Sequence, residues 1–294
     1  MTAPKHSVFS PGRISAIASN TLLELVRLKV FYFLLIFALM VIGSSAFMMQ
    51  FTFQEQFQVL KDVSLGAMSI FTWLLSVLAT AMLLPKDIED RTLYTILAKP
   101  VPRLEYLIGK LLGVFFLLLV SILIMSGLFV GVLYFREHSA IAGALNGGPA
   151  TSPVVQTAIA EIRASTFTAS LLPGIVIIYL KAAIFATLTL FISTYATSSI
   201  FTIMVSFVIY FIGHIQSIAR EYWLSSGTAS AFTKVFLGFV ALLFPDMQLF
   251  NLVDDVVAGN AIHLSMFIQT AGLGLTYIGV YFLLAYFVFA KKEL

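Results

Sequence analysis

LIGKLLGVFFLLLVSILIMSGLFVGVLYF, residues Leu107–Phe135, contains a single charge, Lys110, and no acid. As a helix this run would be about 43 Å long at 1.5 Å per residue, more than the roughly 30 Å of a bilayer's hydrocarbon core. Water cannot be the solvent of such a segment. The whole chain agrees: of 294 residues, 60% are hydrophobic and only 11% are charged, whereas a soluble domain carries about 25% charged residues to clothe its core. Mean hydropathy is +1.01. The 28 Phe, 10 Met and 11 Tyr fall in continuous blocks rather than in the alternating pattern of a half-buried sheet. With no cysteine, disulfides, thiolate metal sites and cysteine nucleophiles are excluded. A net charge of +3 is too small an excess to imply nucleic acid as a partner.

Six blocks have the length and apolarity to cross: Val30–Met49, Ser64–Leu84, Leu107–Phe135, Leu171–Thr194, Ser199–Ser217 and Met266–Ala290. The expected fold is an all-α polytopic membrane protein, one transmembrane domain over residues 1–294. A seventh block, Phe232–Phe244, is closed by Pro245 and Asp246 and is too short to cross; it reads as a re-entrant or interfacial segment.

Orientation follows from the loops. With the N terminus inside, eleven Lys/Arg lie on the cytoplasmic side and five (Lys61, Arg136, Arg163, Arg220, Lys234) outside, with Lys181 within a span. The positive-inside rule then places both termini in the cytoplasm. All 14 acids lie outside the six blocks. Ion-coupled carriers usually hold the coupling ion with an intramembrane carboxylate, so this distribution disfavours one.

Residues Arg13–Leu28 place Ile14, Ile17, Ala18, Thr21, Leu25 and Leu28 at helical spacing, with Arg13, Asn20, Glu24 and Arg27 largely on other faces. That is the pattern of an amphipathic helix lying in the membrane surface. The most polar stretch is Pro85–Lys110. Its first half reads as a short helix: Pro85 near the start, Asp87, Glu89 and Asp90 at the positive end of the dipole, Lys99 at the negative end and Pro100 as the stop. This helix either docks into a protein partner or simply joins two spans. On the opposite side, Arg136–Ser170 reads as a polar, Gly-containing loop followed by a surface helix carrying Val155, Ala158, Ile159, Ile162 and Thr166 on one face. The adjacent Asp254 and Asp255 match no calcium-loop spacing and read as solvated acids.

The chain has no catalytic signature and no metal set. The one Gly-Lys pair, Gly109-Lys110, is followed by Leu and lacks the glycine of a phosphate-binding loop, so any nucleotide chemistry must come from another chain. The four histidines form no ligand cluster, and His214 reads as hydrogen-bonded within the bundle. Lys181 is the one intramembrane candidate: it either lines a route, or is a buried-pair or snorkelling anchor. Gly109-x-x-x-Gly113 and Gly127-x-x-x-Gly131 allow close helix approach.

The order of these parts resembles a known family. TLLELVRLKVFYFLLIF after the amphipathic helix, DIEDRTLYTILAKPVPRLEYLIGK after the second span, LFISTYATSS, FPDMQLFNL and the terminal FAKKEL together are similar to permease subunits of type-2 ATP-binding-cassette exporters. The resemblance spans roughly Arg13 to Leu294, and its most specific part is Glu89–Lys110. It implies an N-terminal elbow helix over 13–28 bracing the motor, a cytoplasmic coupling helix in the loop 86–103, and short outer-leaflet re-entrant helices before the last span, here 232–244. Asp87, Glu89, Asp90, Arg91, Thr92, Leu93, Ile96 and Leu97 would then couple to a separate ATPase subunit, with Lys99, Pro100 and Arg103 fixing the exit into the third span. It further implies a dimer with a second copy or a paralogous permease, ATP and Mg on the partner rather than here, and a bacterial plasma (inner) membrane location. The loop 136–170 is long for a minimal exporter. Two other readings stay open: a gradient-driven carrier or channel, and a non-transporting membrane scaffold or assembly factor.

Overall fold

The computed structural model describes residues 10–47, 53–89, 101–146, 149, 152–225, 232, 235 and 244–291. Among these, every regular element is helical. In chain order they are α1 (Pro11–Val26), α2 (Lys29–Ser44), a 3-10 turn (Ser45–Phe47), α3 (Phe53–Ala81), α4 (Leu83–Glu89), α5 (Arg103–Asn146), α6 (Pro153–Thr166), α7 (Leu171–Tyr195), α8 (Ser199–Ser225), a second 3-10 turn (Met247–Phe250), α9 (Val253–Ala258) and α10 (Leu264–Lys291). Six helical stretches are long and apolar enough to cross a membrane, so the chain is built as a multi-pass membrane protein. The end of the bundle where α1 and α4 meet the start of α5 and the end of α10 is called here the terminal face; the opposite end is the distal face.

The axis of the bundle is α7. It is apolar all round, without a polar stripe, which is the signature of a helix enclosed by others. Small residues make that possible: Ala182, Ala183, Ala186, Thr187 and Ser193 let neighbours approach from every side, and Ile177, Ile184, Phe185, Leu188 and Leu190 fill the gaps. Of its hydroxyls, Thr187 Oγ1 donates to the Ala183 carbonyl at 2.8 Å and Thr189 pairs with Ser206 of α8 at 3.2 Å. By contrast α2, α8 and α10 turn Phe33, Met40, Phe211, Leu275 and Phe287 outward, as lipid-facing helices do.

α1 has the predicted face, with Ile14, Ala18, Thr21 and Leu25 buried, but it rests on protein. It lies along α5, and the seat is the first small-residue pair. A Cβ at Gly109 would stand 2.7 Å from Ile17 Cβ, and one at Gly113 would stand 2.6 Å from Thr21 Cβ and 2.9 Å from the Ala18 carbonyl oxygen. Only glycine permits that approach. Gly127 and Gly131 have nothing within 4 Å of the same construction.

Three expectations are corrected. The segment before Ser64 is not a loop but the start of α3, so Lys61 is helical and 2% exposed. α5 runs on to Asn146, and the loop 136–170 is therefore mostly a helical hairpin. Its second arm begins where Ser152 caps the Val155 N–H at 3.3 Å and Pro153 occupies the first turn, a position where the missing N–H costs nothing. Finally, α3 ends at Ala81 rather than Leu84: Pro85 cannot donate to the Ala81 carbonyl, the helix breaks at Met82, and Leu84 already belongs to α4, which begins at Leu83.

The close seat of α1 predicts an asymmetric response to single methyl groups. Gly113→Ala should destabilise the protein by about 1–3 kcal/mol through overpacking, read as a lower midpoint of thermal unfolding in detergent and faster proteolysis of α1. Gly131→Ala should leave both unchanged or improved.

Candidate functional site

At the terminal face, charges from three helices, α1, α4 and α5, converge. Lys110 on α5 is almost fully buried and meets Asp87 of α4 at 2.7 Å. The Tyr106 hydroxyl, one turn before Lys110, donates to the same carboxylate. Glu24 of α1 closes the group, accepting from Lys86 at 2.7 Å and standing 3.7 Å from Lys110. Burying such charges is affordable only when each finds a partner and the remaining lone pairs are used. Asp87 has two partners here and Lys110 has two carboxylates, so the condition is met.

A second clasp lies nearer the chain's start. Arg13 grips Glu105 as a fork, Nε to Oε2 at 2.6 Å and Nη2 to Oε1 at 2.8 Å, and the Ser10 N–H donates to Oε1 at 2.8 Å. Two parallel charge-assisted bonds fix orientation as well as distance. Across the bundle, Arg103 donates to the Phe289 and Ala290 carbonyls at 3.1 and 2.6 Å. It thereby caps the C-terminal end of α10, where unsatisfied carbonyls and the dipole favour a cation. Tyr106 stacks on Phe289 beneath it.

The consequence concerns the polar loop. It leaves the bundle through α4, anchored at Asp87, and returns through Arg103, anchored on α10. Of the residues predicted to couple to a partner, Asp87 faces inward in the Lys110 pair, Glu89 ends α4, and Arg103 caps α10. Asp90, Arg91, Thr92, Leu93, Ile96, Leu97, Lys99 and Pro100 lie outside the described residues, as does most of 232–244. Sequence reasoning missed Glu24, Lys86, Tyr106 and Lys110 as a group. The available signal was local: Tyr106 and Lys110 are four apart on one face of a helix.

A second polar group sits inside the bundle. Lys181 lies ten residues into α7, about 15 Å from its start, and is 7% exposed. Among the described residues it makes no hydrogen bond or ion pair. The His214 ring of α8 lies within electrostatic reach of both Lys181 and Asp246, and its Nδ1 is 3.1 Å from the Tyr210 carbonyl, the intrabundle bond the sequence implied. Asp246 arrives on the segment 244–252, where it caps the short 3-10 turn Met247–Phe250, and this dip packs into the bundle: a Cβ at Gly213 would be 2.8 Å from the Pro245 carbonyl, and Asp246, Met247, Phe250 and Leu252 are buried. Gly213 is about 21 Å along α8 from Ser199. The spans themselves carry no acid at that depth, but the dip supplies one. Trp73 and Tyr210 stack at 3.8 Å beside this group, and the Trp73 Nε1 and Gln216 Oε1 are buried without partners. Asp254 and Asp255 instead serve local turns, accepting from Asn251 at 3.0 Å and Asn260 at 3.4 Å.

No protein-family model matches the chain, and no curated protein matches it.

Glu105 stands before the apolar run that begins at Leu107, and the Arg13 fork, aided by the Ser10 N–H, holds its carboxyl below the usual range against the opposing effect of desolvation. A lowered carboxyl contributes stability that is complete above the unfolded value, about 4.3, and disappears as pH falls through the lowered one. Glu105→Gln should therefore melt at lower temperature than the parent protein at pH 7. That gap should close as both proteins are taken below about pH 4.

Proposed function

We propose that this chain is the membrane-spanning permease subunit of an ATP-driven exporter of the type-2 ATP-binding-cassette kind. One observation carries the reading: both ends of the polar loop are locked into the body of the bundle, at Asp87 through Lys110 and Tyr106 and at Arg103 through the end of α10. A connector that merely spans a gap gains nothing from buried ion pairs at its roots. A handle does, because displacement of the loop is then passed to α3, α5 and α10 instead of being absorbed at its hinges. In this reading residues 87–99 form the coupling helix, α1 is the elbow helix bracing the same motor, and the terminal face is cytoplasmic in a bacterial inner membrane. ATP and Mg are held by the separate ATPase. A second permease, identical or paralogous, completes the route. Closure of the motor on ATP supplies the differential binding free energy that shifts the bundle between states.

A second reading is favoured by Lys181, His214 and Asp246. Ionisable groups gathered inside a bundle are the usual equipment of a gradient-driven carrier, and the dip provides the acid that the six spans lack.

Co-purification separates the two. The exporter reading expects a separately encoded phosphate-loop ATPase to be captured with the chain and lost on Arg91→Glu or Glu89→Lys, with the bundle's own melting temperature unchanged. Transport that continues without any ATPase and collapses with the proton gradient would replace it with the carrier. In either case Lys181→Met should lower transport at normal expression if the residue lines the route; unaltered activity reduces it to an internal packing residue.

A further inference from the structure

Beneath the helical hairpin of the distal face, between α3, α6 and α9, is a cavity of about 370 Å³. It has room for about a dozen waters at roughly 30 Å³ each, the scale of a small polar ligand. One wall is formed by Lys61. It lies on the buried face of α3, flanked by Phe57, Leu60, Ser64, Leu65 and Met68, and its Nζ donates to the Ser165 carbonyl at 2.7 Å. That carbonyl belongs to the last turn of α6, where the helix dipole is negative. An ammonium has three donors, and one is used. Among the described residues no carboxylate stands within 4 Å of it, although a buried charge without a counter-charge is unfavourable. The Thr168 hydroxyl on the same lining is buried without a partner.

Glu161 lines the same cavity, exposed and without an ion pair among the described residues. The cavity thus holds a cation with a free hydroxyl and a separate anion, too far apart to satisfy each other. α9 closes the rim at Gly259, whose φ of 78° lets the chain turn back at the helix end as only glycine does without strain. Lys61 stands about 30 Å along α3 from its end at Ala81, a length that matches the roughly 30 Å hydrocarbon core and brings the cavity to headgroup level.

We propose that this cavity binds a small zwitterion, its acid oxygens on the Lys61 ammonium and Thr168 hydroxyl and its own ammonium on Glu161. Phosphoethanolamine chemistry meets the requirement, whether presented by a phospholipid headgroup or as a free solute. The site does not depend on which energy source drives the bundle.

The test uses the full chain. Glycerophosphoethanolamine is titrated calorimetrically in detergent, and lipids retained from nanodiscs of mixed phosphatidylethanolamine and phosphatidylglycerol are counted by native mass spectrometry. The expected result is saturable binding or selective retention of the ethanolamine lipid, weakened about tenfold by Glu161→Gln, as loss of one charge-assisted bond implies, and similarly by Lys61→Met. Binding of the free compound without lipid enrichment assigns the site to a soluble zwitterion; enrichment without free binding assigns it to the lipid. Either supports the proposal. Because Lys61→Met removes a buried group, Thr168→Val and Glu161→Gln carry the decision if that variant does not fold. No binding in either arm, equal binding of glycerophosphoglycerol, or binding indifferent to Glu161→Gln and Thr168→Val overturns it.

Discussion

The Asp87–Lys110 pair, 2.7 Å long and nearly dry, is the constraint on which the terminal half of the bundle depends. Neither charge is tolerable there alone, since removing one partner strands the other at a cost of about 3–5 kcal/mol. Their joint demand sets the register of α4 against α5, and with it the height at which Glu24, and therefore α1, must sit. The glycine seat makes the same demand by a different force. Gly109 lies beside Lys110 in sequence, so the step that admits α1 closely and the charge that meets α1's Glu24 belong to one turn of α5. Dispersion contact and ion pairing thus agree on one position for α1.

How much of this could be read from the chain divides along periodicity. Six helices long and apolar enough to cross, the helical face of α1 and a helix over Pro153–Thr166 follow from spacings that one helix imposes on its own residues, and the described residues show each of them. The departures fall where spacing is silent. Hydropathy drops around Gln56, Lys61 and Asp62, which by itself reads as a loop. Yet Phe57, Leu60, Leu65 and Met68 already bracket Lys61 on the face that becomes buried, which is a helical signal that charge obscures. The extension of α5 to Asn146 was hidden by the same polarity.

The site was less legible than the fold because its pairs are distant in sequence. Glu24 and Lys86, Arg13 and Glu105, Arg103 and Ala290 are separated by 62, 92 and 187 positions, and no local pattern links them. Asp246 shows the same limit from another side. A window that searches for continuous apolar helix finds membrane-embedded acids only if a helix carries them. A short irregular dip held against Gly213 brings a carboxylate beside His214 without lowering the hydropathy of any span. Irregular backbone is tolerable at that depth only where protein, not lipid, surrounds it, and burial by α7, α8 and α10 provides that shelter.

α3 and its continuation α4 pass through all three polar regions: Lys61 at the distal cavity, Trp73 beside the Lys181 group, and Asp87 in the terminal clasp. From Trp73's neighbour Thr72 toward Asp87, Thr72, Ser76 and Thr80 recur every fourth residue and are completely buried, so one face of this part of the rod is hydroxyl-lined. The break at Met82, which Pro85 enforces, is the one place where this rod can bend without losing more than a single backbone bond. It lies within the bundle, above the clasp and below the hydroxyls. A close-packed interior does not deform smoothly, so a tilt of α4 at the break must be met by α3 shifting as a unit against α7. In the exporter reading proposed above, movement imposed at the roots of the polar loop would be passed along α3 toward Trp73 and Lys61, as well as into α5 and α10. α3 with α4 is thus a rod that carries polar groups at both faces of the bundle and at its centre.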